Sequence, residues 1–189
     1  FVSGAMTSDD AMQRLDTYRK CLRDHGITYQ EGRVVYGNFT EYSQEIVRDL
    51  MRRNPDLDAV VFANDMMAIG GYKVFREMGL RVGRDISVMG FDNSTCALTL
   101  EPNLSTVNAD PMQLGYQAVM NYQDILSGRV HDVTVESSPI YRESCGCRRK
   151  DFTGFAVDEK NIFNPMETQD LLNNLYRYLF EKKDQTTGV

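Results

Sequence analysis

Polar side chains suited to binding a small, hydroxyl-rich molecule follow four predicted strands of this 189-residue chain. Carboxylates, amides, hydroxyls and a guanidinium supply the paired hydrogen-bond donors and acceptors that a polyol needs, and an aromatic ring packs against the C–H face of a sugar. The pattern therefore predicts a site for a carbohydrate or a nucleoside. Its members are Ser8, Asp10 and Arg14 after the first strand, Asn38 and Phe39 after the second, Asn64 and Asp65 after the third, and Asp92 and Asn93 after the fourth.

Each of these residues also has a structural role open to it. Ser8, Asp10 and Asp65 are of types that cap helices. Arg14 stands four positions after Asp10 and can pair with it on one helix face, and Phe39 can belong to the core. The ligand interpretation is favoured because four separate strand ends carry such groups, and the carboxyl ends of parallel strands open into one crevice.

Catalysis needs more than these residues offer. The sequence contains no glycine-rich phosphate loop and no Gly-x-Ser-x-Gly elbow, and neither His25 nor His131 follows a predicted strand. Asp65 and Asp92 could form a carboxylate pair, but no nucleophile or set of metal ligands stands beside them. We expect a protein that is not an enzyme and that uses no cofactor and no metal.

The elements that position the site follow from hydrophobic spacing. Apolar residues at three- and four-residue intervals predict helices after Ser8, from Thr40 to Asn54 and from Asn64 to Gly79. Strands are predicted at 1–4, 33–36, 58–63 and 86–90, and the apolar run 58–63 is typical of a strand covered on both faces. This alternation predicts an α/β fold, a parallel sheet flanked by helices. Further strands are predicted at 104–107, 133–135 and 140–142, and further helices at 111–126 and 165–183.

Net charge, apolar runs and cysteine content limit the partners and the cellular compartment that we expect for this chain. A net charge of −6 offers no broad basic surface, so we expect DNA contact only through a domain outside this chain. No apolar run approaches the ~20 residues that span a bilayer, so we expect no membrane contact. The four cysteines fit neither a disulfide framework nor a zinc site, which predicts reduced thiols in a cytoplasmic protein.

Two stretches, 58–70 and 83–93, closely resemble the LacI/GalR-type transcriptional regulators, with support from 14–19, 37–40 and 104–107 and from Gly115. The resemblance covers residues 1 to about 147. It implies one lobe, the carboxy-terminal one, of a two-lobed core with the type I periplasmic-binding-protein-like fold. Residues 1–147 would form this lobe, with about 108–130 belonging to the partner lobe, and 148–189 would be an extension with a connector helix.

The same resemblance implies roles for individual residues. Arg14, Asn64 and Asp92 would contact sugar hydroxyls, Ser8 and Asp10 would lie near the ligand, Phe39 would stack on it, and Leu114 would touch it from the other lobe. Asp65 joins this predicted set as the neighbour of Asn64.

The function implied is that of a small-molecule sensor. The effector would be a sugar, a related polyol or a nucleoside, and lobe closure on it would change the geometry of a homodimer and its output. The module would serve a LacI-like transcriptional regulator or a fused signalling protein. The alternative is an extracytoplasmic solute-binding protein for transport.

Overall fold

Six short strands alternate with helices in the part of the chain that the structure describes. The computed structural model describes residues 1–129 and 132–146. The strands are β1 Val2–Ser3, β2 Val35–Tyr36, β3 Ala59–Val61, β4 Ser87–Met89, β5 Thr106–Asn108 and β6 Ser138–Ile140. The helices are α1 Asp9–Asp24, α2 Gln44–Arg53, α3 Asp65–Glu77, α4 Cys96–Thr99, α5 Pro111–Met120 and α6 Tyr122–Leu126.

The strands lie side by side in the order β2, β1, β3, β4, β5, β6. The pairs β1–β2 and β3–β4 are parallel, and single parallel bridges join Val2 to Phe62 and Met89 to Ser105. Among the six described strands, only β6 runs antiparallel to its neighbour. The chain leaves β1 for β2 on one side and returns to β3 on the other, so a crevice opens between the carboxyl ends of β1 and β3.

The two faces of the sheet are covered unequally. Helices α2 and α3 pack together on the face that buries Val60 and Phe62. The opposite face carries α1, and Val61 remains 38% exposed there. The prediction that 58–63 is covered on both faces is therefore wrong, because α1 lies against the β1 end of the sheet and leaves β3 partly open.

The helix starts follow from local capping. Ser8 caps α1, Asn64 caps α3 and Asp110 caps α5, each through a side-chain oxygen that accepts a backbone N–H. The prediction that Thr40 caps the second helix is wrong. The helix begins at Gln44, since Ser43 precedes it and donates its hydroxyl to the Met67 carbonyl of α3 at 2.6 Å.

Other predicted elements need correction after β5. The single helix predicted at 111–126 is interrupted at Asn121, where α5 ends and α6 begins, and Asn121 donates its side-chain amide to the Gln117 carbonyl at 2.8 Å. Residues 133–135 are not a strand, and the last strand is Ser138–Ile140 rather than 140–142. That register follows from the pairing of Ile140 with Thr106. The extension 148–189, with its predicted helix at 165–183, lies outside the described residues.

The α/β fold class is confirmed, and α1, α2 and α3 end where predicted. Gly26 and Gly79 follow α1 and α3 with φ of 70° and 74°, the left-handed conformation that suits glycine after a helix. What matters for the site is that β1, β3 and β4 end at the same edge of the sheet.

Candidate functional site

Arg14 is the centre of a polar cluster at the carboxyl edge of the sheet. Its Nη1 donates a hydrogen bond to the carbonyl of Ala63, just beyond β3, and its Nη2 lies 3.8 Å from Oδ1 of Asp92. The guanidinium carbon lies 4.0 Å from the centroid of the Phe91 ring and 6.0 Å from that of Phe39. A planar cation on an aromatic face, with one edge held by a carbonyl, is a rigid donor for hydroxyl or carboxyl groups.

Asp92 supplies an acceptor beside this cation. Its side chain is 40% exposed and its backbone adopts a φ of 108°, while its N–H donates to the Val107 carbonyl at 2.9 Å. Partial burial raises the pKa of Asp92, Arg14 offsets part of that rise, and the nearby carboxylates of Asp65 and Asp10 add to it. The carboxylate is thus placed to accept hydrogen bonds from a ligand.

Phe39 lies against the first strand end. Its backbone is left-handed, with a φ of 59°, and its ring covers Gly4 so closely that a Cβ built on Gly4 would lie 1.9 Å from the ring. The ring is half-buried and packs partly against the core. Gly4 therefore lets Phe39 form one wall of the crevice with Arg14 beside it.

Asn64 is mostly engaged in holding the fold. Its Oδ1 accepts the Met67 N–H at 3.0 Å, and its Nδ2 donates to the Phe39 carbonyl at 3.1 Å. The residue is 6% exposed. One amide hydrogen remains for a ligand, so contact with a sugar hydroxyl stays a prediction, and the established contacts tie the Phe39 loop to α3.

Asp65 does not reach the crevice surface. It is 0% exposed, its Oδ2 accepts from the N–H of Ser94 at 2.8 Å, and its Oδ1 accepts from the hydroxyl of Thr106 at 2.6 Å. Burial raises the pKa of Asp65, and these hydrogen bonds oppose the rise. The placement is at odds with the prediction that Asp65 contacts ligand, because its oxygens are taken by the protein; it supports the loop that carries Asp92.

The remaining predicted residues, Ser8, Asp10 and Leu114, differ in how far they are exposed. Ser8 accepts the Ala11 N–H at 3.4 Å as the cap of α1, and Asp10 is exposed on the first turn. Leu114 lies on α5 and is 46% exposed. Among the described residues, no hydrogen bond or ring contact joins Leu114 to Arg14. Contact between Leu114 and a ligand therefore stays a prediction.

A cavity of about 520 Å³ runs from Arg14 along the open face of the sheet beneath α1. Polar and apolar side chains both line it. The polar ones include Asp10, Gln13 and Arg14, and the apolar and aromatic ones include Tyr18, Val61, Met89 and Phe91.

A family model described as a periplasmic binding protein-like domain matches residues 2–145. The chain belongs to the periplasmic binding protein-like family. The match ends close to the last described residue, so the whole crevice falls within it.

Two transcriptional regulators and one solved structure are similar to this periplasmic binding protein-like domain. The chain is 33% identical over 147 residues to the HTH-type transcriptional regulator CelR of Thermobifida fusca, covering 76% of the chain and 43% of CelR. It is 38% identical over 108 residues to the HTH-type transcriptional regulator AscG of Escherichia coli, covering 57% of the chain and 32% of AscG. The solved CelR–cellobiose complex superposes with a TM-score of 0.67 at 32% identity, over 76% of the chain and 46% of that structure.

These matches confirm the resemblance to the effector-binding core of LacI-type regulators. The chain spans less than half the length of the curated relatives it matches.

Sequence reasoning missed several residues of the periplasmic binding protein-like site. Phe91 could have been found, since it stands beside Asp92 at the end of β4. Ser94, Thr106 and Arg142 give no signal in the sequence, because their roles depend on contacts between segments far apart in the chain.

In the described part of the chain, no group of three or more His, Cys, Asp or Glu residues is arranged to hold a metal ion. Nor does any helix there have the length and apolar character needed to cross a bilayer.

Proposed function

We propose that this chain is the effector-reading part of a LacI-type transcriptional regulator and that its effector is a carbohydrate or a related hydroxyl-rich molecule. The observation that carries the proposal is the arrangement of Arg14, stacked 4.0 Å from Phe91 and 3.8 Å from Asp92 at the mouth of the crevice. Donor, acceptor and aromatic face lie within reach of one sugar ring. No catalytic group is required, and none is proposed.

The ligand contacts divide between direct and supporting residues. Arg14, Asp92 and Phe39 would contact the sugar, and Asp10 and Ser8 would line the rim, with Asn64 offering its remaining N–H. Asp65 would act only by supporting the Asp92 loop. The CelR relative was solved with cellobiose, which supports a saccharide as the ligand class for this crevice.

We further propose that residues 108–130 belong to a second lobe that closes over the ligand. None of the residues of α5 or α6 is buried, although both helices carry large apolar side chains. Leu114 would meet the ligand from that lobe. A single lobe covers one side of a sugar, so closure would provide a large share of the affinity.

In the whole regulator, closure would change the geometry of a homodimer in the cytoplasm, and a separate domain would contact DNA. The relatives are HTH-type transcriptional regulators, which favours this role over solute transport.

A binding titration tests the proposal. The chain is titrated at up to millimolar concentration with cellobiose, lactose, ribose and adenosine, and binding is followed by calorimetry and by the shift in melting temperature. We expect saturable binding of at least one compound, which Asp92→Asn weakens. An Asp92→Asn variant that binds the sugar as tightly as the wild type, in a chain that still melts cooperatively, would refute the assignment of this crevice as the carbohydrate site.

A further inference from the structure

The loop that carries Asp92 is held in an uncommon backbone conformation. In this cleft loop (residues 92–94), Asp92 and Asn93 have φ values of 108° and 54°. Side chains other than glycine rarely adopt such values, and they persist where surrounding contacts hold them.

Three consecutive N–H groups of the cleft loop are fixed by neighbouring segments. Asn93 donates to the Thr106 hydroxyl at 3.2 Å and Ser94 donates to Oδ2 of Asp65 at 2.8 Å, in addition to the bond from Asp92 to the Val107 carbonyl. The loop therefore has little freedom to change unless one of these partners moves with it.

Arg142 joins the cleft loop to the segment that follows β6. Its Nη2 donates to Oδ1 of Asn93 at 2.8 Å, and its Nη1 donates to the Leu104 carbonyl at 2.7 Å. Its own N–H donates to the Ser105 hydroxyl at 2.8 Å. Both the side chain and the backbone of Arg142 are thus fixed, and the guanidinium spans two partners in a geometry that lysine cannot reproduce.

The residues after Arg142 are bonded to the other end of β4. In this exit segment (residues 142–146), the fully buried Ser144 donates its hydroxyl to the Val88 carbonyl and accepts the Ser105 N–H, both at 2.7 Å. The Ser144 N–H donates to the Asn103 carbonyl at 3.1 Å, and the Ser87 hydroxyl donates to the Cys145 carbonyl at 3.4 Å. The exit segment therefore contacts β4 at Ser87 and Val88, its first two residues, while Arg142 holds the cleft loop beyond its last residue.

We propose that Arg142 is a positioning residue that couples the cleft loop to the exit segment. The inference rests on the proposed function, in which Asp92 contacts the ligand. A ligand that draws Asp92 toward itself and shifts the cleft loop also shifts Asn93 Oδ1, and the bond from Arg142 to that oxygen passes the shift to residues 143–146. The crevice is in this way connected to the part of the chain that continues beyond the sheet.

Amide hydrogen exchange on the full 189-residue chain, measured residue by residue by NMR without ligand, tests the coupling. Arg142→Lys keeps the charge but loses one of the two side-chain bonds, so we expect the Asp92 and Ser94 amides to exchange about tenfold faster. Arg48→Lys is the matched control, because Arg48 also bridges two partners, Glu45 and Glu77, far from the loop. It should leave those two amides within about twofold of the wild-type rates.

The reciprocal variant is Asn93→Gly, which removes the acceptor and tolerates a φ of 54° without strain. We expect about tenfold faster exchange at the Ser144 and Gly146 amides, with the Gly37 amide of the distant β1–β2 pair unchanged.

Three results would overturn the coupling. In the first, Arg142→Lys affects the cleft loop no more than Arg48→Lys does. In the second, Asn93→Gly leaves Ser144 and Gly146 at wild-type rates. In the third, either variant accelerates exchange throughout, Gly37 included, which would make the contact purely structural. A failure of sugar binding would alter none of these rates, since the samples contain no sugar.

Discussion

At the scale of single residues, the decisive feature is a guanidinium lying flat on a ring. Arg14 is held between the Phe91 ring and the Ala63 carbonyl, so the direction of its remaining N–H groups is set before any ligand arrives. A lysine would carry the same charge but could not stack or donate in a fixed plane. Pre-organisation of this kind lowers the entropy cost of binding.

Replacing Arg14 by lysine or alanine, or Asp92 by alanine, should therefore weaken binding of the sugar identified by titration by about 2 kcal/mol or more, as expected when a hydrogen bond to a charged group is lost. The melting temperature should change less than the affinity, because Arg14 and Asp92 are 22% and 40% exposed at the edge of the sheet and neither belongs to the hydrophobic core. Calorimetry and thermal melting of the same samples separate the two effects.

Arg19→Lys provides the matched control for Arg14. Arg19 also lies on α1 and over an aromatic ring, Tyr29, at 5.0 Å, but it does not line the cavity beneath α1. Equal losses of affinity in the Arg14 and Arg19 variants would show that the crevice is not the binding site.

The buried carboxylate of Asp65 predicts a pH dependence of stability. Burial raises its folded-state pKa above the ordinary value of 3.8. Below that ordinary value the carboxyl group is neutral in both states, and its favourable contribution is lost as the pH rises through the folded pKa, because the folded protein must then hold a buried charge. The free energy of unfolding of the wild type, relative to Asp65→Asn, should therefore fall as the pH rises above the ordinary carboxyl pKa of 3.8.

Urea unfolding at a series of pH values measures this difference. Asp24→Asn removes an equal charge from an exposed position on α1 and corrects for the change in net charge. A wild-type advantage that grows with pH would contradict the expected effect of burial.

At the scale of elements, the sequence was informative where a helix or strand is determined by its own residues. The caps Ser8 and Asn64 and the glycines after α1 and α3 act locally, so α1 and α3 were predicted almost to the residue. The cap of α2 was predicted three residues early, at Thr40 rather than Ser43, because the contact of Ser43 with α3 is not local. The same reason explains why Arg142 was not recognised, since its partner Asn93 is 49 residues away.

Close packing of α3 against the start of α2 gives a prediction at this scale. A Cβ on Gly70 would lie 2.8 Å from the Glu41 carbonyl oxygen and 2.2 Å from the Ser43 hydroxyl. Backbone atoms cannot move aside at low cost, so Gly70→Ala should lower the free energy of unfolding by about 1–3 kcal/mol, although alanine favours helices. Chemical unfolding measures the change.

Gly115→Ala is the control on α5, where a new Cβ would meet nothing within 4 Å. It should increase the helix content seen by circular dichroism and leave the stability of the sheet unaffected. If Gly70→Ala were as stable as Gly115→Ala, helix propensity would outweigh the close approach.

At the scale of the whole molecule, four strand ends were correctly expected to share one edge, because parallel topology dictates it. Which polar residues face the crevice was less predictable. Asp65 turns inward while Asp92 remains accessible, and the difference arises from Ser94 and Thr106, which come from other segments. Residue type reveals a capacity for hydrogen bonding, and the tertiary contacts decide whether a ligand or the protein uses it.

The exposed apolar helices predict how the chain behaves in solution. Met112 is 86% exposed, Val119 76% and Leu126 70%, and no residue of α5 or α6 is buried. Neighbouring apolar side chains of this kind favour association, and a second copy of the chain offers the same helices for a symmetric contact. Sedimentation velocity over a range of concentrations should therefore show dimers, and Val119→Glu should shift the chain toward monomer because a charge would be buried in the contact. Leu98→Glu, at a residue 59% exposed on α4, is the matched control and should leave the dimer intact. A wild-type chain that stays monomeric at the highest concentration would show that two copies do not associate through α5 and α6.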